Sequence, residues 1–439
     1  GNDNEIPSDL IQLHEIDRPS ILKSLNVRFN QNLFYTAIGP ILVAVNPFKW
    51  VNDLYTDELK KEYSTGDKTL FSDPHVFAKA YDAHYALQYG KNQSLIISGE
   101  SGAGKTESTK QCLSYLAYVG AQKRKHVSKQ SLDTTSNIPV QQRILQASPI
   151  LEAWGNAKTL RNDNSSRFGK YIEISFTSGN FEITGAKNTT YLLEKSRIVF
   201  QEPGERNYHA FYQLVFGAPA ELQDEFHLSE FVNNPSSIEY LNKSGCMTVA
   251  SMNEKESYDE VHQALHDVGV PDEESKFLSQ ILAAVLHMGN FKFLANNSNG
   301  TSSTSSSSED IDIDLEICGQ SFNAVSELLG LDREVFKRAL LFKKVQVGRR
   351  ASVSFSPLSV DSAVENCNAL AKELYSRTFD WIVGRINGLV NSTSSSTSTI
   401  TSSGTSESEK GLYIGILDIF GFEIFTKVIN NNGSYFIVL

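Results

Sequence analysis

The chain has 439 residues, of which 40% are hydrophobic and 21% charged, a balance that supports a buried core and excludes global disorder. Its net charge of −11 argues against a nucleic-acid binder that neutralises phosphates over its whole surface. The four cysteines form no Cys-x-x-Cys pair, and the sequence shows no signal-peptide pattern and no apolar run long enough for a membrane span. These features predict a protein of a reducing, cytosolic setting without a zinc site or a disulfide framework.

Strand-like runs alternate with stretches of helical spacing along the chain. The strand-like runs, apolar or β-branched throughout, are 39–46, 94–99, 170–176 and 411–418. Helical spacing of apolar residues appears in 258–268, 277–288 and 367–381. Trp154 and Trp381 are expected to be core anchors. Strands covered on both faces and separated by helices predict an α/β fold with a mostly parallel central sheet flanked by helices.

Two segments depart from this globular composition. They are the Ser- and Thr-rich stretches 296–314 and 391–410. Such segments bury too little apolar surface to offset the entropy of ordering them. Both are therefore predicted to be disordered, solvated surface loops inserted into the fold.

A phosphate-binding loop is predicted where one strand-like run gives way to a helix. The pattern is Gly99-x-x-x-x-Gly104-Lys105-Thr106. The glycines let successive backbone N–H groups wrap phosphates, and the N-terminus of the helix adds its positive dipole end. Lys105 is expected to reach the β- and γ-phosphates, and the Thr106 hydroxyl to ligate Mg²⁺. The residues between the two glycines complete the predicted loop: Glu100, Ser101, Gly102 and Ala103.

Two further segments have features by which an NTPase senses the γ-phosphate. Residues 161–174 place two hydroxyls beside Arg167 immediately before a strand-like run. The last strand-like run ends in Asp418 and is followed by Gly421 and Glu423. An aspartate at a strand end is suited to hold Mg²⁺ from the second coordination shell, and a glycine three residues on can present its N–H to the γ-phosphate. Together with the phosphate loop, the two segments predict a nucleoside triphosphatase.

These segments resemble the motor head of the myosins, in form and in order. The resemblance rests on GESGAGKTESTK, NDNSSRFGK, DIFGFEIF, AVNPFKW, LEAWGNAKT, LLEKSRIVFQEPGERNYHAFYQL and ALAKELYSRTFDWIV, and it covers residues 9–425. Kinesins usually continue the first switch as Ser-Ser-Arg-Ser-His, whereas Phe168 follows Arg167 here. A GTPase would need an Asn-Lys-x-Asp guanine reader, which Asn242-Lys243 does not continue.

The resemblance implies a site for ATP and Mg²⁺. Asn46, Pro47 and an aromatic residue would flank the adenine. The aromatic residue is Tyr55, although its distance along the sequence from Pro47 is one residue longer than in the family. Asn162 and Asn164 would approach the phosphates.

The resemblance also assigns roles in hydrolysis. Ser166 would be the second Mg²⁺ hydroxyl beside Thr106, and Ser165 would help orient the lytic water. Arg167 and Glu423 would form the ion pair that closes the γ-phosphate pocket, because a guanidinium suits a bidentate grip on a carboxylate. No carboxylate is an obvious general base, so positioning and electrostatics are expected to supply most of the rate.

By the same resemblance the complete protein would be an actin-based motor that hydrolyses Mg·ATP. Its partner would be filamentous actin, and its place the cytoplasmic actin cytoskeleton. Light chains and cargo would bind only through regions that this sequence does not contain. Two alternatives remain at this point: a P-loop NTPase or kinase without a cytoskeletal role, and a nucleotide-binding scaffold without turnover.

Two expectations concern regulation and the end of the sequence. GRRASVSF offers two arginines just before Ser352, as a basophilic kinase requires, and myosins carry an acidic or phosphorylatable residue at the corresponding place on an actin-facing loop. Residues 1–425 read as a partial motor domain, whereas 426–439 diverges from the long helix that follows in the family. The chain as written is therefore expected to be an incomplete motor.

Overall fold

The computed structural model describes residues 6–65, 73–127, 140–296, 310–347, 352–391 and 411–419. The helices are α1 (Arg18–Asn30), α2 (Asp57–Ser64), α3 (Val76–Ala86), α4 (Lys105–Val127), α5 (Val140–Gln146), α6 (Ser148–Gly155), α7 (His209–Gly217), α8 (Ala220–Glu225), α9 (Ser229–Asn233), α10 (Glu239–Asn242), α11 (Glu254–Val268), α12 (Asp272–Gly289), α13 (Leu315–Leu328), α14 (Arg333–Leu341) and α15 (Val360–Asn391). The strands are β1 (Tyr35–Ile38), β2 (Ile41–Ala44), β3 (Gln93–Ile97), β4 (Asn156–Ala157), β5 (Ser165–Ser166), β6 (Gly169–Phe176), β7 (Ile183–Tyr191), β8 (Phe293–Asn296), β9 (Asp310–Ile313), β10 (Phe342–Val347), β11 (Ser352–Pro357) and β12 (Leu412–Asp418). The divergent stretch 426–439 lies outside the described residues.

The chain divides into two compact units. The first comprises Gly1–Ser148, Phe168–Leu192 and Arg385–Leu439, and the second comprises Pro149–Arg167 and Leu193–Gly384. Among the described residues, none of the helices combines the length and the apolar character that a membrane crossing requires.

A four-stranded sheet in the order β3-β12-β6-β7 forms the centre of the first unit. Helices and an α/β order were predicted correctly, but the sheet is mixed rather than mostly parallel. Only β3 and β12 are parallel among its described pairs, whereas β6 is antiparallel to both β12 and β7. The turn between β6 and β7 is closed by the Thr177 N–H, which donates to the Glu182 carbonyl, and so short a connection permits only an antiparallel pair.

The run 39–46 was predicted to be a strand covered on both faces, and this prediction is wrong. Its central part is β2, which pairs with β1 in a two-stranded antiparallel sheet. Gly39, at φ +54°, and Pro40 turn the chain between the two strands. Ile41 is 54% exposed, so an apolar run here reflects a hairpin on the surface of the unit.

The C-terminal end of α15 covers the backbone of β7 with two asparagine side chains. The Asn387 amide accepts from the Asn188 N–H (2.7 Å) and donates to the Asn188 carbonyl (2.8 Å). Asn391 repeats this pattern on Ala186, at 3.1 and 2.9 Å. The two amides lie four residues apart on one helix face and replace the hydrogen bonds of a neighbouring strand, which protects an otherwise open sheet edge.

Both segments that were predicted to be loops include residues that belong to a strand or a helix. β9, inside 296–314, pairs with β8, because Ile311 and Ile313 alternate with aspartates and are 7% and 4% exposed. Asn391 belongs to α15. The remaining residues, 297–309 and 392–410, lie outside the described part of the chain.

In the second unit an aromatic cluster surrounds Tyr375 of α15. The rings of Trp154, Tyr208 and Phe211 lie 5.0–5.3 Å from it between centroids, and its hydroxyl donates to the Trp154 carbonyl at 2.7 Å. Trp154 is therefore the core anchor that was predicted. Trp381 is not: it is 41% exposed because it lies off the buried stripe of α15 that includes Tyr375.

Candidate nucleotide site

The predicted phosphate loop joins β3 to α4. Gly99, Gly102 and Gly104 adopt φ values of +156°, +81° and +94°, a region that side-chain-bearing residues rarely enter. The Lys105 ammonium donates to the carbonyls of Gly99 and Glu100, each at 2.8 Å, so the lysine side chain folds back over the loop. The loop thus places its lysine at the start of a long helix, whose N-terminus is a suitable setting for a phosphate.

A cavity of about 360 Å³ adjoins this loop in the first unit. Its lining includes the three residues expected to flank adenine, Asn46, Pro47 and Tyr55, together with Ala103 and Gly104 of the loop. The Asn46 amide also donates to the Gly102 carbonyl at 2.6 Å. The predicted base-flanking residues and the predicted phosphate loop therefore share one cavity, although they are about 50 residues apart in the sequence.

Tyr55 is held in the wall of this cavity by a second tyrosine that sequence reasoning missed. The hydroxyls of Tyr35 and Tyr55 are 2.8 Å apart, and the rings of His75 and Phe77 pack against Tyr55 at 5.9 and 6.1 Å. Burial raises the pKa of both tyrosines, so both hydroxyls keep their protons. Exposed Trp50 also lines the cavity, with its ring 6.5 Å from that of Tyr55.

The strand-end aspartate and the threonine that follows the phosphate-loop lysine lie together, as predicted for a metal site. The Thr106 hydroxyl donates to the Asp418 carboxylate at 3.2 Å, although the two residues are 312 positions apart. Asp418 is the last residue of β12 and is 6% exposed. A hydroxyl and a carboxylate are the hard oxygen donors that Mg²⁺ prefers, so the residues present fit this ion.

The first switch segment lies in the second unit. Ser165 and Ser166 form β5, which pairs with β4. Asn162 and Asn164 precede it and are joined by two hydrogen bonds: the Asn164 N–H donates to the Asn162 side chain, and the Asn162 amide donates to the Asn164 carbonyl. The segment therefore has a defined turn before its two serines.

The Asn164 side chain is engaged by three neighbours. Its oxygen accepts from the Asn156 amide (2.9 Å) and lies 3.2 Å from the His209 Nε2, while its nitrogen donates to Glu152 (3.1 Å). Burial first, and then Arg206, lower the pKa of His209 to about 3, so the imidazole is neutral and donates from Nε2. These contacts order the switch segment, and the approach of Asn162 and Asn164 to the phosphates stays a prediction.

Arg167 has a carboxylate partner that sequence reasoning did not identify. Its Nε lies 2.6 Å from Glu194 Oε2, and its Nη1 donates to the Ser165 hydroxyl at 3.2 Å. Arg197 binds the same carboxylate at 2.9 Å. Burial alone would raise the pKa of Glu194, but the two arginines more than offset this and hold that pKa below its ordinary value.

Three residues of the prediction are not placed by these contacts. Gly421 and Glu423 lie outside the described residues, so the predicted ion pair of Arg167 with Glu423 stays a prediction. Ser352 is the first residue of β11, where it pairs with Val347 of β10, and its side chain is outside the described part.

Comparison with known proteins identifies the family. The model of the myosin head (motor domain) matches residues 7–432. The chain is 38% identical over 428 residues to myosin IC heavy chain of Dictyostelium discoideum, covering 97% of this chain and 33% of that protein. It is 39% identical to myosin-52 of Schizosaccharomyces pombe, with 97% and 26% covered, and 39% identical to human unconventional myosin-XV, with 94% and 10% covered. The chain thus spans a third or less of the length of these relatives. It belongs to the myosin head family.

Proposed function

We propose that this chain is the nucleotide-binding part of an actin-based motor that hydrolyses Mg·ATP to ADP and phosphate. The observation that carries the proposal is the shared cavity, in which Asn46, Pro47 and Tyr55 adjoin the phosphate loop at Gly104. A base on the aromatic side and phosphates on the glycine side is the arrangement that a nucleoside triphosphate requires. Membership of the myosin family supports ATP as the nucleotide.

In this proposal the backbone N–H groups of Gly99–Thr106 bind the phosphates, and Lys105 contacts the β- and γ-phosphates. Thr106 and Asp418 would hold Mg²⁺, which when bound would neutralise phosphate charge, while the role of Ser166 as the second Mg²⁺ hydroxyl stays a prediction of the family resemblance. The Thr106 hydroxyl is already oriented by Asp418, so little ordering remains to be done on binding.

The residues that follow the family in the two switches would carry hydrolysis. Ser165 would orient the attacking water, while the ion pair of Arg167 with Glu423 and the contact of the Gly421 N–H with the γ-phosphate stay predictions of the family resemblance. The contact of Arg167 with Ser165 supports a common role for these two residues. The rate then comes from positioning and from fixed charges rather than from a direct general base.

Actin is the proposed partner of the complete protein, and Ser352 a proposed phosphorylation site on its actin-facing loop. The test is co-sedimentation of the complete gene product with filamentous actin, with and without ATP, and its rate of phosphate release with increasing actin. ATP-dependent release from actin and a phosphate-release rate that rises with actin are expected. ATP hydrolysis that actin leaves unchanged would instead indicate a non-motor P-loop NTPase, and nucleotide binding without turnover a scaffold.

A further inference from the structure

Ser251 lies in an exposed turn of the second unit, just before α11. It is a central residue of the turn that the Met252 N–H closes by donating to the Val249 carbonyl at 3.1 Å. Val249 is buried, and the Met252 sulfur accepts from the Arg206 guanidinium at 3.9 Å, so both ends of the turn are anchored. Ser251, between these anchors, is exposed. The turn therefore holds the serine hydroxyl at the surface.

The hydroxyl of this serine contacts the first switch segment. Ser251 Oγ donates to Asp163 Oδ2 at 2.7 Å, and the other oxygen of the same carboxylate lies 3.8 Å from the Lys158 ammonium. Asp163 stands between Asn162 and Asn164, whose mutual hydrogen bonds form the turn before the two serines of the switch. One exposed hydroxyl thus contacts the centre of that turn, although the two residues are 88 positions apart in the sequence.

The residues that follow Ser251 suit a serine kinase that selects acidic substrates. Such a kinase recognises a carboxylate three residues beyond the serine, which is Glu254 here, and Glu256 follows two residues further on. Ser257 has the same spacing to Glu260, but it lies inside α11. A kinase cleft binds its substrate in an extended form, which a loop adopts at less cost in free energy than the interior of a helix. The two serines therefore share a sequence pattern and differ in accessibility to a kinase.

We propose that Ser251 is a phosphorylation site for a serine kinase of acidic specificity, and that its phosphate breaks the contact of Ser251 with Asp163. The γ-phosphoryl group of the kinase's ATP is transferred to Ser251 Oγ. The bond from Oγ to phosphorus forms, the bond from phosphorus to the β,γ-bridging oxygen breaks, the hydroxyl proton passes to a base of the kinase, and ADP leaves. The product has no hydroxyl hydrogen to donate, and its charge of about −1.5 to −2 faces the Asp163 carboxylate.

The phosphate thereby turns an attractive contact into a repulsive one at the turn of the first switch segment. This turn is held by short-range hydrogen bonds: the Thr159 N–H donates to the Asn162 carbonyl at 2.8 Å, and the Asn164 N–H donates to the Asn162 side chain at 3.0 Å. Displacement of Asp163, which lies between the two asparagines, loosens these bonds. Slower hydrolysis follows because the rate depends on the position of the switch residues. This consequence rests on the proposed function, whereas the modification itself does not.

The first test is treatment of the complete protein with casein kinase II and ATP, followed by mass spectrometry of its peptides. We expect phosphate on Ser251 at a higher occupancy than on Ser257, which is the matched control inside α11. The peptide that contains residue 251 should carry no such phosphate in Ser251→Ala. Phosphorylation of Ser251 that is absent, or no higher than that of Ser257, would overturn the proposal.

The second test is hydrogen exchange of the backbone amides of 156–166 in the complete protein without nucleotide. We expect exchange to be about 2- to 5-fold faster in Ser251→Ala, the range of one exposed hydrogen bond to a charge, and faster still in Ser251→Glu, which adds repulsion. Asp163→Asn in the Ser251→Glu background should return the exchange toward that of the wild type, because the new amide can donate to the introduced carboxylate. Thr248→Glu puts the same charge on an exposed residue of the same loop and should exchange as the wild type does.

The outcomes separate this inference from the proposed function. Exchange that is unchanged in Ser251→Glu, or equally fast in Thr248→Glu, would overturn the role given to the contact with Asp163. Neither readout depends on nucleotide bound to this protein, so a wild type without ATP binding would reject the proposed function alone. With ATP hydrolysis intact, Ser251→Glu should lower the single-turnover rate about 3-fold, and Asp163→Asn should recover part of this loss. An unchanged rate together with faster exchange would overturn the regulatory consequence.

Discussion

Arg167 and Glu194 are joined twice, once through their side chains and once through their backbones. The Nε–Oε2 distance is 2.6 Å, and the Glu194 N–H donates to the Arg167 carbonyl at 3.0 Å. The Arg167 N–H in turn donates to the Gly155 carbonyl at 2.8 Å. The conformation of the switch arginine is thus fixed by a residue 27 positions further along the chain, which no local sequence pattern places beside it.

Glu194 should therefore matter for hydrolysis more than for nucleotide binding. Glu194→Gln removes the charge that holds Arg167 while keeping an acceptor, and hydrogen bonds to charged groups are worth about 10-fold or more in rate. We expect the single-turnover hydrolysis rate to fall about 10-fold with the affinity for ATP changed less than about 3-fold. Quenched-flow measurement of hydrolysis and equilibrium titration of ATP give the two numbers.

Glu205→Gln is the control for this substitution. Glu205 pairs with Arg197 at 2.9 Å, and so belongs to the same cluster of charges. Glu205→Gln should retain a larger fraction of the wild-type hydrolysis rate than Glu194→Gln does. Equal rates in the wild type and Glu194→Gln would contradict the role given to Glu194.

A second prediction concerns Mg²⁺. Asp418→Asn preserves the shape of the side chain but removes the charge beside the Thr106 hydroxyl, and loss of such an outer partner typically weakens metal affinity about 10- to 100-fold. We expect the Mg²⁺ concentration needed for tight binding of a fluorescent ATP analogue to rise by this factor. Glu173→Gln, on β6 opposite Gly415 of β12, changes an acidic residue of the same sheet and should have no effect. An unchanged Mg²⁺ requirement in Asp418→Asn would remove Asp418 from the metal site.

A third prediction concerns stability below neutral pH. Burial lowers the pKa of His287 to about 4, where its Nε2 lies 3.1 Å from the Phe226 carbonyl. Below about pH 6.5 the His287 imidazole is protonated in the unfolded chain, but in the folded chain it stays neutral down to about pH 4. The contribution of His287 to the free energy of unfolding is therefore full above about pH 6.5 and is lost as the pH falls toward about 4. For His287 alone this amounts to about 2 kcal/mol between pH 7.5 and 5. His75 and His209 add losses of the same sign, because burial lowers their pKa to about 4 and about 3.

Urea unfolding at the two pH values measures this dependence. His287→Gln should reduce the difference in unfolding free energy between pH 7.5 and 5, whereas His266→Gln, at a side chain that is 74% exposed, should not. The same pH dependence in the wild type, His287→Gln and His266→Gln would show that His287 does not contribute to it.

A fourth prediction concerns Ser352, which follows two arginines and opens β11. A phosphate there would add a charge of about −1.5 to −2 at the first residue of β11, where the resemblance places an actin-facing segment. In the complete protein, Ser352→Ala is expected to lower actin-activated turnover and Ser352→Glu to preserve it, with Ser356→Ala as the control on the same strand. Indistinguishable turnover in Ser352→Ala and Ser352→Glu would dismiss the site.

The sequence predicted the strand-loop-helix setting of the phosphate loop better than the layout of the sheet. Phosphate-loop residues such as Gly104 and Lys105 are recognisable because their spacing is itself the binding device. Asp418 could be predicted to lie near the phosphate loop because β12, which ends in Asp418, is parallel to β3. The two strands therefore end at the same edge of the sheet. Strand direction was not predictable, since a buried antiparallel strand and a buried parallel strand have the same apolar run.

Partners from distant parts of the chain could not be predicted either. Tyr35 contacts Tyr55 and Glu194 contacts Arg167, and folding rather than sequence spacing brings each pair together. The hairpin of β8 and β9 was missed for a different reason. Its apolar-acidic alternation is only four residues long beside a long Ser-rich stretch, and the composition of that stretch outweighed it.

The measurement that tests the central claim most directly is the affinity of Mg·ATP for Lys105→Ala, by equilibrium titration with a fluorescent ATP analogue. Because Lys105 supplies a charged contact to the phosphates, its loss should weaken binding by about 30-fold or more. Lys91→Ala, at an exposed lysine just before β3, should bind as the wild type does. Equal affinities in the wild type, Lys91→Ala and Lys105→Ala would contradict the assignment of this loop as the phosphate site.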